Sequence, residues 1–200
     1  MNKKINSVED DVIVKGVDDV VRGIHCLCES FISENIDSIK CELEKNKVLI
    51  SKDYSSVKVT KLKPNSCGVY VFYIVPEKEI TTYEELVDLW NRENVSYSPK
   101  VIKSRFGERL EKGECSCFYV GKSENLANRI SQHIDQKTKE TTYGLKISEH
   151  KKINSDHTFY YSYFVVKETQ SKSLQDGIQC LLVALEKQLR TELEPLIGKQ

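Results

Sequence analysis

Nine consecutive residues, Cys67 to Val75, read CGVYVFYIV without a single charge. Valine, isoleucine, tyrosine and phenylalanine suit a pleated backbone, and an unbroken apolar run of this length reads as a buried strand. Pro64-Asn65-Ser66 immediately before it is a turn signal. Two further stretches have strand character, Ser116 to Val120 and the aromatic, β-branched Thr158 to Lys167, while Ser56 to Leu62 is a short alternating candidate.

The helices announce themselves by period. Val17, Val20, Val21, Ile24, Cys28, Phe31, Ile32, Ile36, Ile39 and Leu43 recur at helical spacing. Residues from about Asp18 to Lys45 are therefore expected to form one long amphipathic helix, or two meeting near Ser33, with the apolar stripe serving the core. Thr82 with Glu85 forms a capping box that opens a helix through Leu86, Leu89 and Trp90. A helix from Ser123 carries Leu126, Ile130 and Ile134. The last helix begins near Ser173, presents Ile178, Leu182, Leu185, Leu189 and Leu193 on one face, and stops at Pro195. Asn94 to Gly113 has little periodicity and reads as loop. The order helix, strands, helix, strand, helix predicts an α+β fold with a small antiparallel sheet.

Composition narrows the class. Thirty basic residues balance thirty acidic ones, so a strongly basic nucleic-acid binder is not indicated, although a local basic groove is compatible. No apolar run approaches the ~20 residues needed to cross a bilayer, and Met1 to Asp11 lacks a secretory h-region, so a cytoplasmic location is expected. The seven cysteines are odd in number and scattered, which suits reduced thiols. Cys26 and Cys28, and Cys115 and Cys117, form C-x-C pairs. Zinc sites usually space paired ligands more widely, so these read as small buried hydrophobes.

The residues that could carry chemistry gather around two strand strings, Gly68-Val69-Tyr70 and Tyr119-Val120-Gly121. Lys122 follows the second string directly. Arg129 lies in the next helix with His133 one turn beyond, and residues four apart share a helix face. Glu186 sits about 80° from Ile178 on a helical wheel, on the flank of the last helix's apolar stripe. A tyrosine in a strand is ordinarily core and a glutamate on a helix ordinarily solvated; the co-occurrence in one order is what makes these six notable. His25, His150 and His157 have no such context and read as surface or packing residues.

Taken together, CGVYVFYIV, CFYVGKSENLANRISQHI, TYGLKI and ALEKQLRTELEPLIGK resemble the GIY-YIG nuclease family over roughly Cys67 to Lys199. The resemblance implies a three-stranded antiparallel sheet flanked by helices, and phosphodiester hydrolysis with one divalent cation, Mg²⁺ or Mn²⁺. It divides the chain into an N-terminal helical extension at 1–63 packing on the core, and a catalytic domain at 64–200 with an insertion at about 76–114. Position by position, it makes Tyr70 and Tyr119 the paired motif tyrosines, Arg129 the helix arginine and Glu186 the metal-binding glutamate. His133 completes the R-x-x-x-H arrangement of restriction-type members, and Lys122 is the basic residue after the second motif.

The residue types suit that reaction. A phosphodiester anion needs positive charge as its transition state builds; Arg129 can grip two phosphate oxygens, and Lys122 adds a cation near a helix N-terminus. A lone hard carboxylate with waters suits Mg²⁺. Tyr70 is expected to act as the base, with Tyr119 positioning water or phosphate and His133 supporting either. Nearby cations would favour the phenolate. The family's asparagine after the glutamate is replaced by Gly198. The expected function is a metal-dependent endonuclease acting on nucleic acid, with DNA the expected substrate. The competing reading is a catalytically inactive nucleic-acid-binding or protein-interaction module on the same fold. The long N-terminal helix also permits a homodimer or a partner protein.

Overall fold

The computed structural model describes residues 6–54, 62–63, 65–78, 81–93, 95, 98–99, 108–135, 143–168 and 172–198. In chain order the elements are α1 (Asn6–Lys45), β1 (Val48–Leu49), β2 (Ser66–Pro76), β3 (Thr81–Thr82), α2 (Tyr83–Arg92), β4 (Arg109–Leu110), β5 (Ser116–Ser123), α3 (Leu126–Asp135), α4 (Lys151–Asp156), β6 (His157–Glu168) and α5 (Lys172–Leu193). A 3-10 turn at Ile147–Glu149 precedes α4. The Ser56 to Leu62 strand candidate lies, Leu62 apart, outside the described residues.

The uncharged run forms β2, flanked antiparallel by β6 on one side and β5 on the other. The sheet order is β1-β6-β2-β5, so the three long strands are those expected, and the two-residue β1 adds a fourth at one edge. Because successive side chains alternate between faces, β2 feeds two cores. Tyr70, Phe72 and Ile74 join Leu126, Ile130 and Ile134 of α3 and Tyr83, Leu86 and Trp90 of α2. Cys67, Val69, Val71 and Tyr73 meet Ile32, Ile36, Ile39 and Leu43 of α1 and Leu182, Leu185 and Leu189 of α5. The domain is thus three layers deep with β2 at the centre.

Two irregularities shape the β2–β5 and β2–β6 ladders. Register slips between Phe72 and Tyr73 against β5, so that Phe72 faces Tyr119 and Tyr73 faces Cys117. The extra residue, Phe118, therefore packs in the same core as Tyr119. The second slip falls between Cys67 and Gly68. There the Phe164 carbonyl comes so close that a Cβ on Gly68 would lie nearer than 3.0 Å to it, which explains the glycine. The outer edge of β5 is covered by the tail after α5: the Leu196 and Ile197 amides donate to the Cys117 and Phe118 carbonyls at 3.0 Å each. Tyr83 of α2 ties this tail down by donating its hydroxyl to the Leu196 carbonyl.

Three expectations change in detail. α1 is a single continuous helix that starts well before Asp18, with no break at Ser33. Its apolar residues divide: Ile32, Ile36, Ile39 and Leu43 are buried, but Val20, Val21, Ile24 and Phe31 are exposed. The stretch read as loop contains β4, which pairs with β3 and brings Leu110 into the core. The capping box at Thr82 and Glu85 is present in both directions. All seven cysteines are free thiols, and no group of three His, Cys, Asp or Glu side chains that could hold a metal occurs among the described residues.

Residues 143–156, before β6, were not legible as structure, yet they are well built. Lys146 takes a left-handed backbone with φ 50° and is fully buried. His150 is fully buried and stacks on Trp90 with ring centroids 3.7 Å apart, its Nδ1 3.5 Å from Glu93. Asn154 anchors the turn by donating to the Ile147 carbonyl at 2.6 Å. Burial pushes the His150 imidazole down to about 4. The unfolded chain therefore takes up a proton near the ordinary histidine value of ~6.5, which the folded protein refuses until about pH 4. Stability should fall as pH drops through that window, with His150 contributing a loss of about 3 kcal/mol by pH 4. His150→Phe, which keeps the stack, should flatten the slope of denaturation free energy between pH 6.5 and 4. Equal slopes in the two proteins would show that His150 is not the titrating group.

Candidate active site

The end of the sheet where β2 and β5 meet α3 collects the chemically capable residues. Tyr70 lies directly opposite Gly121 in the ladder, and its ring runs across that glycine. A Cβ there would sit closer than 3.0 Å to the hydroxyl and ring of Tyr70. The glycine is therefore a steric requirement of the tyrosine beside it. Tyr119, two residues earlier on β5, stacks with Tyr70 at 6.3 Å between centroids. Its other side faces Gly198, whose φ of +129° favours glycine. The residue that departs from the family pattern is thus held by its own backbone conformation beside the second tyrosine.

His133 is fully buried on α3, at the same helical face as Arg129. Its Nδ1 accepts the Leu145 backbone N–H at 2.9 Å. A nitrogen that accepts carries no proton, so the neutral ring must hold its proton on Nε2. That nitrogen lies 2.8 Å from the Tyr70 hydroxyl, and it donates to it. Burial, then the nearby Arg129 cation, hold the imidazole well below its ordinary value, which keeps this tautomer neutral. Through the Leu145 amide, the buried segment before the Lys146 turn fixes the proton on His133.

Tyr70 is 1% exposed. Burial, followed by the neighbouring Tyr119, raises its pKa far above the ordinary phenol, while the charge and hydrogen bond of Arg129 act in the opposite direction. The Tyr119 phenol is also raised by burial, opposed first by Arg190 and then by Arg129, with a hydrogen bond from Tyr70 between the two hydroxyls. A directional chain results: Leu145 N–H to His133, His133 Nε2–H to Tyr70, Tyr70 O–H to Tyr119. Tyr119 is the partly exposed end of it.

Glu186 reaches the same place from α5. Its Oε1 accepts from Arg190 at 2.8 Å, and Arg190 also donates to the Val120 carbonyl at 3.2 Å, pinning α5 to the edge of β5. Burial raises the Glu186 carboxyl above its ordinary range, with Arg190 and then Lys122 opposing. Lys122 donates to Gln179 Oε1 at 3.3 Å, and Gln179 in turn donates to Glu124. Arg129 donates to Gln132 at 3.2 Å and does not pair with Glu124. The structure therefore brings together all six residues singled out in the sequence: Tyr70, Tyr119, Lys122, Arg129, His133 and Glu186.

Sequence reasoning missed three contributors. Arg190 had a legible signal, an arginine one helical turn after Glu186 on the same face. Gln179 and the Leu145 amide had none, because a backbone donor and an unremarkable glutamine acquire meaning only from what the fold sets opposite them. His25 is exposed and paired with Glu29, whereas His150 and His157 are buried, so of the three only the first is a surface residue.

Two stacked tyrosines, a tautomer-fixed histidine, an arginine, a lysine and one helical carboxylate thus converge at one end of an antiparallel sheet within an α+β domain. Residues 109–195 match the family model described as the GIY-YIG catalytic domain. The matched segment is similar to the catalytic domain of a nuclease family and spans less than half of the chain, and the antiparallel sheet flanked by helices is consistent with that fold. The match begins after β2, so Tyr70 enters the site through strand pairing and not through the matched segment. No curated protein and no solved structure gives a match.

Gly121→Ala tests the central packing claim. Forcing a methyl against the Tyr70 ring should cost about 1–3 kcal/mol. It should also displace that ring, read as a lowered denaturation midpoint and an altered near-ultraviolet tyrosine signal. Full retention of both would mean that Tyr70 is not wedged over the glycine.

Proposed function

We propose that the protein is a metal-dependent endonuclease that hydrolyses phosphodiester bonds in nucleic acid, with DNA as substrate. The observation that supports this reading best is the fixed His133 proton aimed at the buried Tyr70 oxygen, with Arg129 as a second donor to the same atom. Two donors converging on one phenol oxygen stabilise a phenolate there, which suits a group that must accept a proton from water. Tyr70 is the proposed base. Tyr119, at the exposed end of the chain, positions the attacking water or the phosphate.

A divalent cation fits the donors present. Glu186 has one oxygen committed to Arg190, and no described residue donates to the other. With a single carboxylate available, Mg²⁺ or Mn²⁺ would be held by Glu186 together with waters and the substrate phosphate. When bound, such a cation supplies Lewis-acid stabilisation of the leaving oxygen. The chain itself supplies the rest. Arg129 can bind the non-bridging oxygens as charge grows on them. Lys122 stands beside Glu186, with Gln179 orienting its ammonium. A neutral overall charge predicts weak non-specific binding with a shallow salt dependence. No helix among the described residues is long and apolar enough to cross a membrane.

Plasmid, single-stranded DNA and RNA, each with Mg²⁺, Mn²⁺ or chelator, form the direct test. Cleavage should require the cation and should vanish in Glu186→Gln while the circular dichroism spectrum stays native. Tyr70→Phe should slow cleavage on the order of 10²–10⁴-fold, the usual worth of a positioned base. Cutting that ignores the metal or survives Glu186→Gln would remove the assignment. A folded protein that binds but cuts no substrate would point to an inactive module.

The acid limb gives an independent check. Glu186 must be ionised to hold a cation, and burial raises its pKa. Activity should therefore fall with decreasing pH at a value above that of an ordinary glutamate, and raising the cation concentration should shift the limb downward. A limb insensitive to cation concentration would dissociate Glu186 from metal binding.

A further inference from the structure

α1 and α5 lie on the same face of the sheet and run parallel, because both C-terminal ends arrive at the start of β5. Lys47, just past α1, donates to Cys115 Sγ at 3.1 Å, and Leu196, just past α5, donates its amide to the Cys117 carbonyl at 3.0 Å. Lys40 pairs with Glu192 at 2.6 Å, which fixes the level of one helix against the other. Residues four apart lie in one row along a helix. Back from Lys40 the row on α1 is Ile36, Ile32 and Cys28; back from Glu192 the row on α5 is Gln188, Ala184 and Cys180. Each row covers the same ~18 Å of helix, and Ile32, Ile36 and Ala184 belong to one apolar cluster. The two rows therefore end level with each other, at two cysteines.

Every residue of α1 from Asp18 to Leu27 is exposed, and Cys28 is the first that is buried. Burial, then the neighbouring Cys180, raise the Cys28 thiol above its ordinary pKa. Cys180 itself is exposed. The result is a pair of free thiols on facing helices, one open to solvent and one enclosed. Cys26 is also exposed, but two residues are about 200° of helix, so it points away from this contact.

We propose that Cys28 and Cys180 are an oxidation site, at which a hydroperoxide converts the two thiols to a disulfide that fastens α5 to α1. The exposed Cys180 meets the oxidant first. Its sulfur attacks one peroxide oxygen, the O–O bond breaks, and hydroxide leaves with the thiol proton as water, giving a sulfenic acid. The sulfur of Cys28 then attacks the Cys180 sulfur. The S–S bond forms, the S–O bond breaks, and the Cys28 proton leaves with the hydroxide as a second water. Two thiols are oxidised by two electrons in all, and one peroxide is reduced to two waters. α5 also carries Gln179 and Glu186, so the bond would hold the helix that brings both to the candidate site. The oxidation site is independent of the nuclease reading.

A disulfide needs Cα atoms within about 7 Å of each other, so cross-linking in the folded protein reports directly on the pair. The full chain is treated with hydrogen peroxide, remaining thiols are blocked with iodoacetamide, and the digest is read by mass spectrometry without reduction. Peptides linked through Cys28 and Cys180 should appear, lighter by two hydrogens than the separate pair, and dithiothreitol should remove the link. The oxidised chain should also unfold at a higher denaturation midpoint than the reduced one, since the bond closes a long loop of the unfolded chain. Cys28→Ala and Cys180→Ser should each abolish that rise. Cys28→Ala should in addition leave Cys180 as a sulfenic acid that dimedone traps. Absence of the link in the folded wild type, whatever becomes of Cys180, or its formation only in denaturant, overturns the site.

Discussion

Strand β2 has no wet face. Every residue from Ser66 to Pro76 except Val75 is buried, and leaving so much apolar surface in water would cost ~25 cal/mol for each Å² exposed. Helices must therefore cover both faces, and strands must pair along both edges to satisfy its backbone. α2 and α3 close one side, α1 and α5 the other, β5 and β6 the flanks. The active-site candidates sit where they do because those covering elements converge on the β2–β5 ladder.

The same dryness sets the electrostatics. Tyr70, Tyr119, His133 and Glu186 all have their neutral forms favoured by burial, and the cations Arg129, Arg190 and Lys122 oppose that shift for the acidic groups. Arg129 acts on three of them at once: it favours ionised Tyr70 and Tyr119 and disfavours protonated His133. A neutral histidine that can only donate, facing a phenol surrounded by positive charge, is a consistent arrangement for holding negative charge on oxygen. Arg190 gives the site its rigidity, since it binds both Glu186 and the β5 backbone.

Glycines show how local sequence and tertiary demand interlock. Gly121 is required by the Tyr70 ring and Gly68 by the Phe164 carbonyl, whereas Gly198 is favoured by its own positive φ. For the first two the neighbour comes from a distant part of the chain. The motif strings therefore record contacts across the sheet as much as preferences of one strand.

The sequence by itself determined the three long strands and the helices α1, α2, α3 and α5, the capping of α2, the end of α5 near Pro195 and the six candidate residues that the fold brings together. Those features depend on period, propensity and motif order, all of which are local. It could not reveal the turn from Leu145 to His150, whose role comes from a backbone amide and a buried stack. Nor could it tell which apolar residues of α1 are covered, because an apolar residue reads the same whether or not other elements pack against it. The proton on His133 was likewise decided only by the fold: the sequence supplies an imidazole, but which nitrogen holds the hydrogen depends on the amide that tertiary structure places against the other.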